Sequence, residues 1–205
     1  NEPGSPQYNP RVAEIPIDYP VVAPDGLRLI AQLRNRYLLC EAEDRIYLLD
    51  RERAEEVVRY ESLCQATESG PLSPQALLFP DRLELDARGH DIVDAHETLL
   101  ASLGFEWSAL GERSYAVRAV PAQVGTTSAR TVFANVIEAL QGAGGDPEKA
   151  VLRAVAHASV TPPGEPMDRL RALDIVARLS LHQDAHRRSI ITEFPLPHEA
   201  SEDHR

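Results

Sequence analysis

Few side chains here have the type and spacing that chemistry needs. The clearest set is Gln75-Ala76-Leu77-Leu78-Phe79-Pro80. An extended segment flanked by proline can lay a glutamine and two apolar side chains into a preformed groove, so its chemistry is recognition. The competing reading is an edge strand whose leucines face the core. Asp50, Glu56 and Glu61 read as a helix cap followed by a solvated, salt-bridged helix face. Arg34 and Arg36, two apart on an expected strand, share a face and read as sheet-edge cations. Cys40 and Cys64 offer neither metal-ligand spacing nor a disulfide framework and read as reduced, partly buried thiols. His96 belongs to the apolar stripe of an expected helix as a half-buried core edge, and Trp107 to packing. No Ser-His-Asp arrangement emerges, and Gly142–Gly145 follows a helix rather than a strand, unlike a phosphate loop.

Composition narrows the classes further. The chain has 205 residues, 43% hydrophobic and 26% charged, enough for one domain or two small subdomains with a sizeable core. The formal net charge is −11, from 21 Lys+Arg against 32 Asp+Glu. A chain this acidic has no overall electrostatic drive toward nucleic acid or anionic lipid, so DNA contact through it is expected to be weak. No apolar run approaches the roughly 18 residues of a membrane span and no signal peptide is visible, so a cytoplasmic location is expected.

The elements that must position these residues follow from pattern. Residues 1–24 carry Pro3, Pro6, Pro10, Pro16, Pro20 and Pro24 and read as a linker or surface arm. Leu27–Cys40 and Arg45–Asp50 read as two strands of a hairpin, followed by a helix over about residues 51–67. Gly70-Pro71-Leu72-Ser73-Pro74 breaks the chain, and Gln75–Pro80 beyond it is a short extended run. Asp86 is the expected N-cap of a helix running to Leu103, with Gly104 as its C-cap. Strands are expected at Phe105–Trp107 and Ser114–Val120, and a helix at Thr131–Gln141. After Gly142–Gly145, Asp146-Pro147-Glu148 has the order of an N-cap, a first-position proline and an acid in the first turn. The helix it opens runs to about Val160, a last helix covers about Met167–Leu181, and a terminal strand Ile190–Phe194. The expected class is α+β. Residues 25–70 and 147–200 would join into one discontinuous subdomain of hairpin and helices, with an α/β subdomain, residues 73–145, inserted between them.

Leu29–Cys40 followed by Ile46-Tyr47-Leu48-Leu49-Asp50 resembles the opening of the C-terminal domain of MutL, the DNA mismatch repair protein. Gln75–Pro80 is similar to that family's Gln-x-Leu-Leu-x-Pro segment. Leu99–Glu106 and Val117–Ala122 match the lines that follow, in the same order. The resemblance runs over about residues 26–198. It implies a homodimer in which residues 1–24 end a proline-rich linker from an N-terminal ATPase. The flanking halves would then form the dimerisation subdomain, and the middle a regulatory one. A symmetric dimer needs a self-complementary apolar patch, expected on the hairpin 27–50 and the last helix.

Many members of that family nick DNA with Asp-Gln-His-Ala-x-x-Glu-x-x-x-x-Glu. Here Asp50, Glu56 and Glu61 stand at the acidic positions, while Arg51, Glu52 and Arg53 replace Gln, His and Ala. The family's Ala-Cys-His resembles Val155-Ala156-His157, and its Cys-Pro-His-Gly-Arg-Pro resembles Leu196-Pro197-His198-Glu199-Ala200. Both histidines are kept and both thiols are lost. A zinc or manganese site needs about four converging donors, and Arg51 and Arg53 compete with a dication for the carboxylates. The resemblance therefore implies a member without nuclease activity, metal or cofactor, in which nicking falls to another protein. The alternative is a metal-dependent endonuclease whose altered ligand set draws on Asp50, Glu56, Glu61, His157 and His198.

In this family the Gln75–Pro80 segment resembles the motif that binds the replication sliding clamp. Gln75 would anchor through polar contacts, Leu77 and Leu78 would form the hydrophobic plug, and Phe79 and Pro80 would fix the exit. The partners implied are a second copy of the chain, the clamp and other mismatch repair proteins.

Overall fold

The computed structural model describes residues 26–43, 45–125, 127–162, 164–179 and 190–195. The expected linker, Leu196, His198 and the C-terminal tail lie outside them. The fold is mixed α and β, with two antiparallel sheets and six α-helices among the described residues. The chain divides into two compact units, residues 1–54 with 162–205, and residues 55–161.

The first unit holds a four-stranded sheet of order β1-β2-β3-β7, made of β1 (Arg28–Leu33), β2 (Tyr37–Ala42), β3 (Arg45–Asp50) and β7 (Ile191–Pro195). The single strand expected over Leu27–Cys40 is thus two strands. Leu33 and Arg36 close a two-residue turn in which Arg34 and Asn35 take φ of 49° and 52°. Two positive-φ residues match the right-handed twist of a hairpin, and asparagine tolerates that region best after glycine. Arg34 and Arg36 therefore do not share a strand face. Arg34 sits in the turn, and the Arg36 guanidinium lies 5.4 Å from the centre of the Tyr37 ring.

Strand register sorts the side chains. Leu38 pairs with Leu49 and Cys40 with Tyr47, and Leu38, Cys40, Ala42 and Leu49 are buried. Helix α6 (Arg169–Arg178) packs against β1 and contributes the buried Ala172, Ile175 and Val176. The opposite sheet face pairs Leu39 with Leu48, Leu33 with Tyr37 and Ile46 with Phe194. Leu33, Leu39, Ile46 and Leu48 there are only half-buried, and Phe194 is exposed.

Helix α1 (Arg51–Glu68) begins in the first unit and continues into the second. The second unit has a three-stranded sheet of order β4-β6-β5, made of β4 (Pro74–Glu84), β5 (Glu106–Ala109) and β6 (Ser114–Pro121). Its core gathers Phe105, Val117, Val132, Phe133, Val136, Ile137, Val151 and Val155, with half-buried Trp107 stacked obliquely on Phe133. Asp86 caps α2 (Ala87–Ala95) by accepting from Gly89 N at 2.7 Å. The single helix expected to reach Leu103 is broken. α2 ends at Ala95, His96 takes φ −118°, and α3 (Glu97–Ser102) restarts beyond it. Gly104 then takes φ +82°, where a Cβ would meet the Leu72 and Ser73 carbonyls and Pro121 Cα at 3.2–3.3 Å. Only glycine meets both demands, and the approach seats the start of β4.

α4 (Ala129–Gly142) and α5 (Pro147–Ala158) pack together in the same unit. Asp146 Oδ1 caps α5 by accepting from Glu148 N at 3.0 Å, with Pro147 at the first position, as the sequence order predicts. The break at Gly142–Gly145 is a turn between two helices sharing one core, and the compact unit runs on to Thr161. No described helix is long and apolar enough to cross a membrane.

Candidate functional site

The extended run Gln75–Pro80 is the interior of β4, an edge strand. Pro74, Gln75 and Ala76 pair with Pro121, Val120 and Ala119, and pairing resumes at Asp81 with Val117. Four residues, Leu77–Pro80, therefore stand opposite the single Arg118. A bulge of this size takes the strand away from its partner and re-aims its side chains. Leu78 is 88% exposed and Phe79 78%, whereas Leu77 is half-buried against the core of the unit. Gln75 and Pro80 are exposed. The edge-strand reading with both leucines inward holds for Leu77 in part and fails for Leu78. Such large apolar side chains, adjacent and in water, are costly to expose.

Both ends of the bulge are held. Leu77 packs inward, and the Asp81 carboxylate accepts from Arg130 N at 3.2 Å and from Ser128 Oγ at 3.3 Å. Sequence reasoning missed Asp81, because the helix it caps is 47 residues downstream. Arg118 beside the bulge is exposed and donates from Nε to Ser108 Oγ at 3.1 Å.

The acidic motif residues start at the end of β3. Asp50 Oδ1 accepts from Arg53 N at 3.2 Å and so caps α1, as expected. Arg51 is 1% exposed. Its Nη1 donates to Glu165 O at 2.6 Å and its Nη2 to Pro162 O at 2.9 Å. This anchor was not legible in the sequence, where Arg51 reads as a cation beside the acidic cluster. Glu55, one turn on, is 2% exposed. Its carboxylate accepts from Arg59 Nε and Nη2 and from Thr161 N at 3.2 Å. Arg51 and Glu55 thus spend their charge on fixed hydrogen bonds.

The other motif residues are spread out. Glu56 Oε2 lies 3.4 Å from His157 Nδ1, bringing together two positions 101 residues apart. Ala156 beside His157 is fully buried and offers no donor. Glu61 is half-buried on α1, and His198 lies outside the described residues. Among the described residues no group of three or more His, Cys, Asp or Glu side chains converges as a metal site would require. Among the described residues the family's metal-motif positions bring only Glu56 and His157 within reach of each other, and the position of Arg51 is a buried guanidinium, whereas zinc or manganese needs about four donors.

Cys40 is buried in the first unit, and burial pushes its thiol up to about 12. It is no nucleophile at neutral pH. Burial likewise raises Tyr115, whose hydroxyl hydrogen-bonds His90 Nδ1, with the nearby Asp94 charge adding to the shift. His90 Nε2 stands 3.6 Å from Asp94 Oδ2, an arrangement that orients the imidazole and supplies no activated nucleophile.

Comparison with known proteins assigns the chain to a family. Residues 30–161, more than half of the chain, match the family described as the MutL C terminal dimerisation domain. The DNA mismatch repair protein MutL of Trichlorobacter lovleyi is 41% identical over 96 residues, covering 47% of this chain and 16% of the relative. MutL of Syntrophotalea carbinolica is 31% identical over 141 residues, covering 66% and 22%. MutL of Pseudomonas fluorescens is 35% identical over 108 residues, covering 53% and 17%. The matches span about a fifth of the length of these relatives. With a family match over most of its described residues, the chain belongs to the MutL C-terminal dimerisation domain family.

Proposed function

We propose that this chain is the homodimerising C-terminal module of a MutL-like mismatch repair protein, a cytoplasmic scaffold that docks on the replication sliding clamp and does not cut DNA. The observation that carries the docking reading is the β4 bulge. It holds Leu78 and Phe79 in water on an edge strand, with Gln75 exposed at its foot and Pro80 closing it. The plug expected of Leu77 and Leu78 falls here to Leu78 with Phe79, because Leu77 is half-buried and seats the segment; Gln75 supplies polar anchoring and Pro80 fixes the exit.

Dimerisation is assigned to the flanking segments, residues 25–70 and 147–200, and a regulatory role to residues 73–145 between them. Supporting the dimerisation part is the half-exposed sheet face of Leu33, Leu39, Ile46, Leu48 and Phe194, an apolar patch of the kind a two-fold interface needs; it lies in the unit of residues 1–54 and 162–205, while residues 55–70 and 147–161 share a compact unit with the middle segment. ATP hydrolysis and most DNA contact belong to other parts of such a protein, consistent with the charge of −11. Other mismatch repair proteins are its further partners.

The non-nuclease reading rests on the replacement of both thiols by Ala156 and Leu196 and on the cations Arg51 and Arg53 within the acidic motif. One observation favours the alternative, an endonuclease with an altered ligand set: Glu56 and His157 remain within 3.4 Å. Two donors without a third hold a dication weakly.

The docking experiment measures binding of the chain to a purified bacterial sliding clamp by calorimetry, alongside light scattering. Gln75→Ala with Leu78→Ala is expected to weaken clamp binding at least tenfold, about 1.4 kcal/mol, and to leave the dimer mass unchanged. Equal affinity of the double variant and the parent overturns the docking assignment.

A further inference from the structure

We propose that Asp81 is a positioning residue for the docking bulge, acting through the N-terminus of α4; the inference rests on the docking reading above. Pairing of β4 with β6 stops after Ala76 and resumes at Asp81, so Asp81 is the first residue to re-enter the sheet. Its carboxylate accepts from Arg130 N at 3.2 Å and Ser128 Oγ at 3.3 Å. Ser128 occupies the N-cap of α4, yet its side chain makes no cap hydrogen bond to the helix. The cap is supplied from β4 instead: a carboxylate meets an orphan amide and the positive end of the helix dipole.

That helix end is itself anchored. Thr127 Oγ1 donates to Ala158 O at 2.7 Å, tying the segment before α4 to the end of α5, and Ala129, Val132 and Phe133 are buried. Asp81 therefore pins the C-terminal foot of the bulge to the rigid core, as Leu77 pins the other. Between these pins only Leu78, Phe79 and Pro80 stand free. A segment fixed at both feet loses less conformational freedom on binding, so the pins raise affinity without touching the partner.

Asp81→Ala is the test, with two controls. Asp81→Asn keeps an oxygen acceptor for Arg130 N. Asp86→Ala removes the cap of α2 in the same unit, away from the bulge, and matches the loss of general stability. Clamp affinity and native-state chymotryptic cleavage after Leu78 are measured for each. Asp81→Ala is expected to weaken clamp binding by about fivefold to tenfold and to speed cleavage after Leu78 by a similar factor. Asp81→Asn stays within about twofold of the parent in both, because an amide caps almost as well. Asp86→Ala lowers the melting temperature and changes neither. Equal effects of Asp81→Ala and Asp86→Ala in both assays overturn the inference. If the parent chain does not bind the clamp, the docking reading fails by itself. The cleavage rates then decide whether Asp81 orders the bulge, and unchanged cleavage in Asp81→Ala refutes that as well.

Discussion

Arg51 Nη1 donates to the carbonyl oxygen of Glu165 at 2.6 Å, although 114 residues separate them in the sequence. The guanidinium stands where nicking members of the family carry a glutamine beside their first acidic residue. It is spent on fastening the returning chain, through Glu165 and Pro162, to the first turn of α1. A buried cation in that role is a structural part, and its removal is costly because two carbonyls lose a charged donor and a cavity opens.

Arg51→Ala is therefore expected to destabilise the protein by about 2–4 kcal/mol, read from the urea midpoint at unchanged slope. Arg53→Ala, at an exposed position two residues on, is expected to stay within about 0.5 kcal/mol. Similar losses from both substitutions would show that Arg51 carries no anchoring role.

Cys40 gives a pH dependence with a definite sign. Its thiol is at about 12 in the folded protein against an ordinary value of 9.0, because burial disfavours the thiolate. The folded state keeps the proton that the unfolded state releases, so the stability from this group is complete below pH 9.0 and declines as pH rises toward 12. Each unit in that window costs about 1.4 kcal/mol. Cys40→Ala or Cys40→Val is expected to flatten this alkaline limb of a stability–pH profile. Alkylation at pH 8 should label half-buried Cys64 well before Cys40. Labelling Cys40 as fast as Cys64 would contradict the buried placement.

The half-exposed sheet face of the first unit makes the dimer testable. Leu39 and Leu48 are cross-strand partners on that face. Replacing both by glutamate sets two like charges side by side on an apolar patch. The double variant is expected to halve the mass in light scattering while retaining its circular dichroism. A dimer that survives with its mass unchanged places the interface elsewhere.

Much of the fold was legible because its signals are local. Asp50, Asp86 and Asp146 each announce a helix start by residue type and position, and each caps as expected. Gly104 ends a helical pattern and takes the positive φ that a helix stop requires. The turn at Arg34–Asn35 hid behind two arginines, with Asn35 as its one cue and no glycine or proline to mark it. The break at His96 followed a helical stripe that continues across it.

The candidate site was readable in its residue types and not in its geometry. Gln75–Pro80 stood out as a recognition segment, yet which leucine faces water depends on how β4 registers against β6, some forty residues away. Arg51 and Asp81 were invisible as anchors because their partners, Glu165 and Arg130, are distant in sequence. Glu56 and His157 do meet, while the thiols that would complete a site are replaced.

Metal content tests most directly the proposal that this module binds and does not cut. The purified protein is dialysed against trace zinc or manganese, and ions per protomer are counted by mass spectrometry. Close to none is the expected result, with the Glu56–His157 pair left as a surface contact. One or two ions per protomer, removed by Glu56→Ala or His157→Ala and accompanied by nicking of supercoiled DNA, would contradict it.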